Sequence, residues 1–168
     1  MQTYKIRKIS EQIFSGGTPS TSKPEYWNGN LHWLSSGETR NNYIHDTERR
    51  ITYLGANNSS TRLANIDDIV IASAGQGFTR GQASLLKIDT YINQSIIAIK
   101  VNRSICLPRF LFYNLLSRYS ELRLLSDSSS TRGSITTKMI GDMNIKLPPM
   151  IIQQHIVNTI SSLLLKFF

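Results

Sequence analysis

Ser15-Gly16-Gly17-Thr18-Pro19-Ser20, followed by Glu25-Tyr26-Trp27-Asn28-Gly29-Asn30-Leu31-His32-Trp33-Leu34, is one of two stretches that frame this chain. The other is Lys146-Leu147-Pro148-Pro149, followed by Gln153-Gln154-His155-Ile156 at the head of an apolar helix. Gly16 and Gly17 stop the element before them, and Thr18-Pro19 forces an extended or turn conformation. Asn28-Gly29 signals a turn ahead of a short strand at Leu31 to Leu34. Pro148 and Pro149 form a rigid joint between strand and helix.

Outward from these marks, the opening segment places Ile6, Ile9 and Ile13 at a spacing that suits a short helix over Tyr4 to Phe14, with Tyr4 to Ile6 readable as a strand entering it. Residues 35 to 65 are rich in Ser, Thr, Asn and Arg and read as a long polar loop region, a type that carries function more often than stability. Asp68 to Ala72 is a buried strand, Ala74 to Gly81 a glycine-rich loop, and Ala83 to Ile88 and Ser95 to Val101 two further strands. Pro108 opens a helix with Leu111, Leu115, Tyr119 and Leu122 on one face. Asp127 to Gly133 breaks it. A short helix over Thr137 to Asp142 and a last strand over Asn144 to Leu147 follow. No internal repeat is present. The expected class is α+β: a mixed, twisted sheet with flanking helices, followed by the start of a coiled-coil-type helix.

The chain has 168 residues, enough for one domain with its own core and a short appendage. Hydrophobic residues make up 40% and charged residues 18%, which fits a folded chain and argues against disorder. Nineteen Lys and Arg against eleven Asp and Glu leave a net charge of +8, which favours a polyanionic partner. Cys106, the single cysteine, lies between Ile105 and Leu107 and reads as a buried thiol and not a nucleophile. No apolar run follows Lys5, Arg7 and Lys8 as a secretory signal would need, and none reaches the ~18 residues of a spanning helix. A cytoplasmic protein with no membrane partner is expected.

From Pro149 the period changes. Ile156, Ile160, Leu163 and Phe167 recur at steps of four and three, the seam of a coiled coil, and Ile152, Leu164 and Leu165 widen it. About two heptads are too few to hold alone in water, since helices under ~12–15 residues are marginal. The seam packs on its own domain, on a second copy, or on sequence beyond Phe168. An ordinary terminal helix fits the pattern equally well.

Catalytic machinery is not expected. His32, His45 and His155 are scattered, without metal-ligand spacing. No arrangement of acids stands out for two-metal chemistry, no nucleophile elbow occurs, and no Walker lysine follows a glycine loop. Gly75, Gly77 and Gly81 depart from a dinucleotide fingerprint in spacing, and a strand follows where that motif needs a helix. Pro148-Pro149 lacks the Asn or Asp and the aromatic that flank the prolines of amino-methyltransferase sites. No cofactor and no metal are expected.

The polar segments instead interleave short hydrogen-bonding side chains with arginines, a mixture suited to phosphate clamps and base-edge contacts. The candidates are Arg40, Asn41, Arg62, the loop residues Gln76, Thr79, Arg80 and Gln82, the Ser130-Thr131-Arg132 run, and Lys138. Arg pairs with guanine and Gln with adenine at major-groove edges, while glycines let a backbone approach a duplex closely. For the glycine loop the plainer reading is a tight turn; for any one arginine it is a solvated surface role. Tyr26, Trp27 and Trp33 read as a packed flap and not as base-stacking groups.

The two framing marks, the order of elements between them and Tyr91-Ile92-Asn93-Gln94-Ser95 together resemble one half of the specificity (S) subunit of type I restriction-modification systems, over essentially the whole chain. The resemblance implies a non-catalytic target recognition domain over residues 1–148 and, over 149–168, the start of a spacer and dimerisation helix using Ile152, Ile156, Ile160, Leu163 and Phe167. It implies double-stranded DNA as partner, with methyltransferase (M) subunits and, through them, restriction (R) subunits. The chain departs from the family in carrying one recognition domain and a helix stub. It is then a fragment, a truncated half or a half-type subunit that homodimerises on an interrupted palindrome. Two other readings stand beside it: an assembly protein that docks a methyltransferase through the helix without reading DNA, and a nuclease.

Overall fold

A computed structural model of the protein describes residues 1–127 and 133–167. In chain order it contains β1 (Gln2–Lys5), a 3-10 turn at Ile6–Lys8, β2 (Ser10–Ser15), a 3-10 turn at Pro24–Tyr26, β3 (Trp27–Leu34), a 3-10 turn at Ser36–Arg40, β4 (Tyr43–Ile44), β5 (Arg49–Ile51), α1 (Tyr53–Asn57), β6 (Arg62–Ala64), β7 (Ile69–Ala72), β8 (Ala83–Leu86), β9 (Thr90–Ile92), β10 (Ile96–Val101), α2 (Pro108–Ser117), α3 (Tyr119–Asp127), α4 (Thr137–Asp142), β11 (Asn144–Leu147) and α5 (Met150–Phe167). The α+β expectation holds, with mixed sheets and flanking helices.

Two sheets and a ribbon carry the strands. The five-stranded sheet runs β2-β10-β7-β8-β4, the four-stranded sheet β5-β3-β9-β6, and β1 pairs with β11. Both larger sheets are mixed: β4 runs parallel to β8, and β3 parallel to β9. Strand alternation sorts the apolar side chains into layers. Ile69, Ile71, Leu85, Ile97 and Ile99 face the helices and pack with Leu111, Phe112, Leu115, Leu122, Ile140 and Val157. Val70, Leu86, Ile96 and Ala98 face the other way and pack with Leu34 and Ile92 of the four-stranded sheet. The central strands β7 and β10 are therefore covered on both faces, which is why they read as aliphatic runs, whereas the edge strand β2 keeps exposed polar residues.

Three expectations are corrected. The opening segment is not a helix: β1, a 3-10 turn and β2 replace it, and Ile6 and Ile9 are fully buried around the turn. Residues 35 to 65 are not a long loop but hold β4, β5, β6, α1 and a 3-10 turn. The helix from Pro108 breaks at Arg118, whose backbone leaves helical geometry (φ −110°, ψ 25°). There the Arg118 guanidinium grips both oxygens of Glu121 at 2.6 and 2.7 Å and the Asn144 carbonyl at 2.9 Å. That grip holds the Glu121 carboxyl below its ordinary pKa.

The framing motifs acquire structural reasons. Gly16 and Gly17 donate their backbone N–H groups to the carbonyls of Asn93 and Ile92. A side-chain carbon on Gly16 would stand 1.9 Å from the Ile92 oxygen, so no other residue fits. Trp27 and Trp33 meet edge to face at 5.1 Å, and their indole N–H groups donate to the carbonyls of Ser20 and Gly17. They form the packed flap expected of them. Cys106 is fully buried, and burial pushes its thiol up to about 12.

The second mark centres on Gln153, which is 1% exposed. Its side-chain oxygen accepts from the Leu107 N–H at 2.9 Å, and its amide nitrogen donates to the carbonyls of Ile105 (3.1 Å) and Pro148 (2.9 Å). One side chain thus ties the first turn of α5 to the segment leading into α2. Beyond it, Val157 enters the core and Ile156 and Ile160 pack against it, whereas Ile152, Leu163 and Phe167 of the expected seam are exposed. Helix α5 docks on its own domain as far as Ser161, whose hydroxyl bonds that of Tyr113 at 3.0 Å, and beyond it Leu163, Leu165 and Phe167 are exposed. Replacing Gln153 by Ala strands three backbone groups, one in a buried bond and two in part-buried bonds. Gln153→Ala should cost about 2–4 kcal/mol of unfolding free energy in urea titrations, whereas Gln154→Ala, on the exposed side, should leave the midpoint near its original value.

Candidate nucleic-acid interface

Two loops and the α2–α3 junction converge on one side of the five-stranded sheet. The first loop is the 3-10 turn Ser36–Arg40. Glu38, 4% exposed, closes it as a capping box: one carboxylate oxygen accepts from the backbone N–H (2.8 Å) and hydroxyl (3.0 Å) of Ser35. The other oxygen accepts from the Glu48 N–H at 2.8 Å, which closes the chain from 38 to 48 into a fixed turn. Arg40 ends this turn. Its guanidinium donates to the Gly37 carbonyl and to Glu48, each at 2.8 Å, and remains more than half exposed. Asn41 follows it and is exposed.

The second loop joins β7 to β8. Gly75 and Gly77 have φ of 134° and 59°, the region that side chains rarely enter. Backbone bonds from Thr79 N–H to the Gln76 carbonyl and from Gly81 N–H to the Ala72 carbonyl shape it. Helix α3 then braces it from behind. The Tyr119 hydroxyl donates to the Phe78 carbonyl at 2.7 Å, and Arg123 donates to the Arg80 carbonyl at 2.8 Å. The Arg80 side chain, only 18% exposed, turns inward to the Gly133 carbonyl (2.6 Å) and Asp127 (3.2 Å).

Between the loops lies a cleft of about 350 Å³ lined by Arg40, Asn42, Phe78, Gln82 and Tyr119 among others. Of the sequence candidates, Arg40 and Gln82 line this cleft, while Asn41, Gln76 and Thr79 lie on the two loops that flank it without lining it. Arg80 belongs to the second loop; the two terminal nitrogens of its guanidinium bond Gly133 and Asp127 and so help to hold the loop, while its buried Nε has no hydrogen-bond partner among the described residues. Arg62 and Lys138 line no part of this cleft. The Arg62 guanidinium lies 4.3 Å from the centre of the Phe14 ring, and Lys138 pairs with Asp142 at 2.6 Å beside a separate cleft that includes Arg7. Ser130, Thr131 and Arg132 lie outside the described residues.

Sequence reasoning missed Glu38, Phe78 and Tyr119. Ser35 and Glu38 carry the three-residue spacing of a capping box, a legible signal. Phe78 was legible as the one large apolar residue within a glycine-rich polar loop. Nothing local marks Tyr119, whose bond spans 41 positions. Among the described residues no group of three or more His, Cys, Asp or Glu could hold a metal ion, and no helix is long and apolar enough to cross a membrane.

A two-sheet scaffold that presents polar loops beside a projecting helix is the architecture of a DNA specificity domain. The family model described as the type I restriction modification DNA specificity domain matches residues 1–167, and the chain belongs to that family. A type I restriction enzyme specificity subunit of Escherichia coli is 29% identical over 147 residues, covering 86% of this chain and 36% of that protein. Three solved structures share the fold. The HsdS subunit of Thermoanaerobacter tengcongensis superposes with a TM-score of 0.72 at 20% identity, over 98% of this chain and 37% of that one. The type I restriction-modification S subunit of M. genitalium gives 0.69 at 14% identity, over 99% and 40%. A subunit from a type I restriction-modification complex structure gives 0.73 at 21%, over 98% and 38%. The chain therefore spans little more than a third of the length of the curated relative it matches.

The inward course of Arg80 has a measurable consequence. Its charge-assisted bond to a backbone carbonyl belongs to a class worth about 1.5–3 kcal/mol. Arg80→Ala should therefore speed amide exchange of residues 74–82 by about tenfold or more in the free protein. A side chain reserved for DNA would leave that exchange unchanged.

Proposed function

We propose that this chain is a DNA-reading module: residues 1–148 form a target recognition domain of a type I restriction-modification specificity subunit, and residues 149–168 begin its spacer helix. The observation that carries the reading is a cleft walled by Arg40 and Gln82, with Asn41 and Gln76 exposed on the loops that flank it, in a chain of this family. These groups are suited to base edges, with Arg40 able to take a guanine or a phosphate. The net charge of +8 attracts the polyanion. The module itself is non-catalytic and acts in the cytoplasm, where methyltransferase subunits, and through them restriction subunits, perform the reaction at the site it selects. The exposed Ile151, Ile152, Leu163, Leu165 and Phe167 give α5 an apolar side for the rest of that assembly.

Random-sequence DNA selection with the chain assembled on its methyltransferase should enrich one short half-site. Failure to enrich any motif sinks the reading. Arg40→Ala should weaken binding to the selected site by about 1–3 kcal/mol, read by titration at fixed ionic strength. Affinity should also fall as salt rises, with a slope of roughly −0.9 for each phosphate contacted.

A further inference from the structure

Phe78 is 81% exposed at the tip of the β7–β8 loop. An exposed aromatic ring on a floppy loop would carry little meaning, but this loop is held. Tyr119 grips the carbonyl of Phe78 itself, Arg123 grips that of Arg80, and the Arg80 guanidinium is anchored to Gly133 and Asp127. The protein thus fixes the backbone on either side of Phe78 while leaving its ring in water. Gln76, two positions earlier, is also exposed, and Gly75 and Gly77 add no side chains that would keep a duplex away.

A glutamine and an apolar ring two positions apart on one loop, both exposed, match the two halves of one base pair. Glutamine bonds the N6 and N7 edge of adenine in the major groove, and the paired thymine displays its 5-methyl group on the same edge, where apolar side chains pack against it. We propose that residues 74–82 form a braced finger for an A·T pair, with Phe78 contacting the thymine methyl and Gln76 the adenine. The assignment rests on the DNA-reading function proposed above and names a specificity residue within it.

The test uses the chain assembled with its methyltransferase and the half-site found by selection, resynthesised with uracil replacing each thymine in turn. Uracil removes only the methyl group. At one thymine the substitution should weaken wild-type binding about fourfold, the effect of losing one buried methyl-sized group. Phe78→Ala should weaken binding to the intact site by about tenfold or more and abolish the difference between thymine and uracil there. Phe78→Leu, which keeps an apolar contact, should retain it. Because the ring is exposed, neither variant should shift the urea midpoint. The finger is overturned if the half-site lacks an A·T pair, if Phe78→Ala binds as the wild type does, or if that variant still distinguishes thymine from uracil at every position. An affinity loss indifferent to uracil at all positions would instead mark a wedge between bases, and would overturn the methyl contact. No defined half-site for the wild-type assembly would remove the DNA-reading function itself, a separate result.

Discussion

The three hydrogen bonds of Gln153 are the constraint around which the rest of the molecule is arranged. An amide side chain buried to this degree is tolerable only when its oxygen and nitrogen are both satisfied. Leu107, Ile105 and Pro148 satisfy them, and in doing so they lock the start of α5 against the entry to α2. Helix α2 in turn lays Leu111, Phe112 and Leu115 on the face of the five-stranded sheet, and α3 follows it across the Arg118 break. The loop that α3 supports is thus positioned, at several removes, by the joint at Gln153.

The two faces of the five-stranded sheet divide the labour. One face takes the helices, and through them Tyr119 and Arg123 reach the β7–β8 loop. The other takes the four-stranded sheet, whose outer side is closed by Trp27, Trp33, Ile51 and Ala56, with the Arg49 guanidinium 3.7 Å from the centre of the Trp27 ring. Loops springing from strands buried on both faces inherit their rigidity, which suits a surface that must present hydrogen-bonding groups at fixed spacing.

Legibility in the sequence followed sequence distance. Strands β7, β8 and β10 were plain because aliphatic runs such as Ile69 to Ala72 admit few other environments. The 3-10 turn at Ile6–Lys8 defeated the periodicity argument: Ile6 and Ile9, three apart, match one face of an α-helix as well as they match a 3-10 turn. Strands β4, β5 and β6 have two or three residues each and exist only through partners far along the chain, as in Tyr43 opposite Leu85 or Arg62 opposite Ile92. Residue chemistry singled out Arg40 and Gln82 at the cleft and Gln76 on the loop beside it, and it assigned Arg80 to DNA, whereas the fold engages the terminal nitrogens of that guanidinium internally. An arginine looks the same in sequence whether its guanidinium meets another molecule or its own backbone.

The antiparallel pairing of β1 with β11 sets Gln2 opposite Leu147 and Lys5 opposite Asn144. Entry into the globular body and exit from it therefore lie side by side, at the root of the long helix. A body attached by such a narrow stalk is topologically a cassette: it can be grafted in place of another, or inserted in series along a helical backbone, without rethreading any strand. Exchange of the whole unit would then carry the 36–40 turn and the β7–β8 loop with it while leaving the register of every strand outside it unchanged.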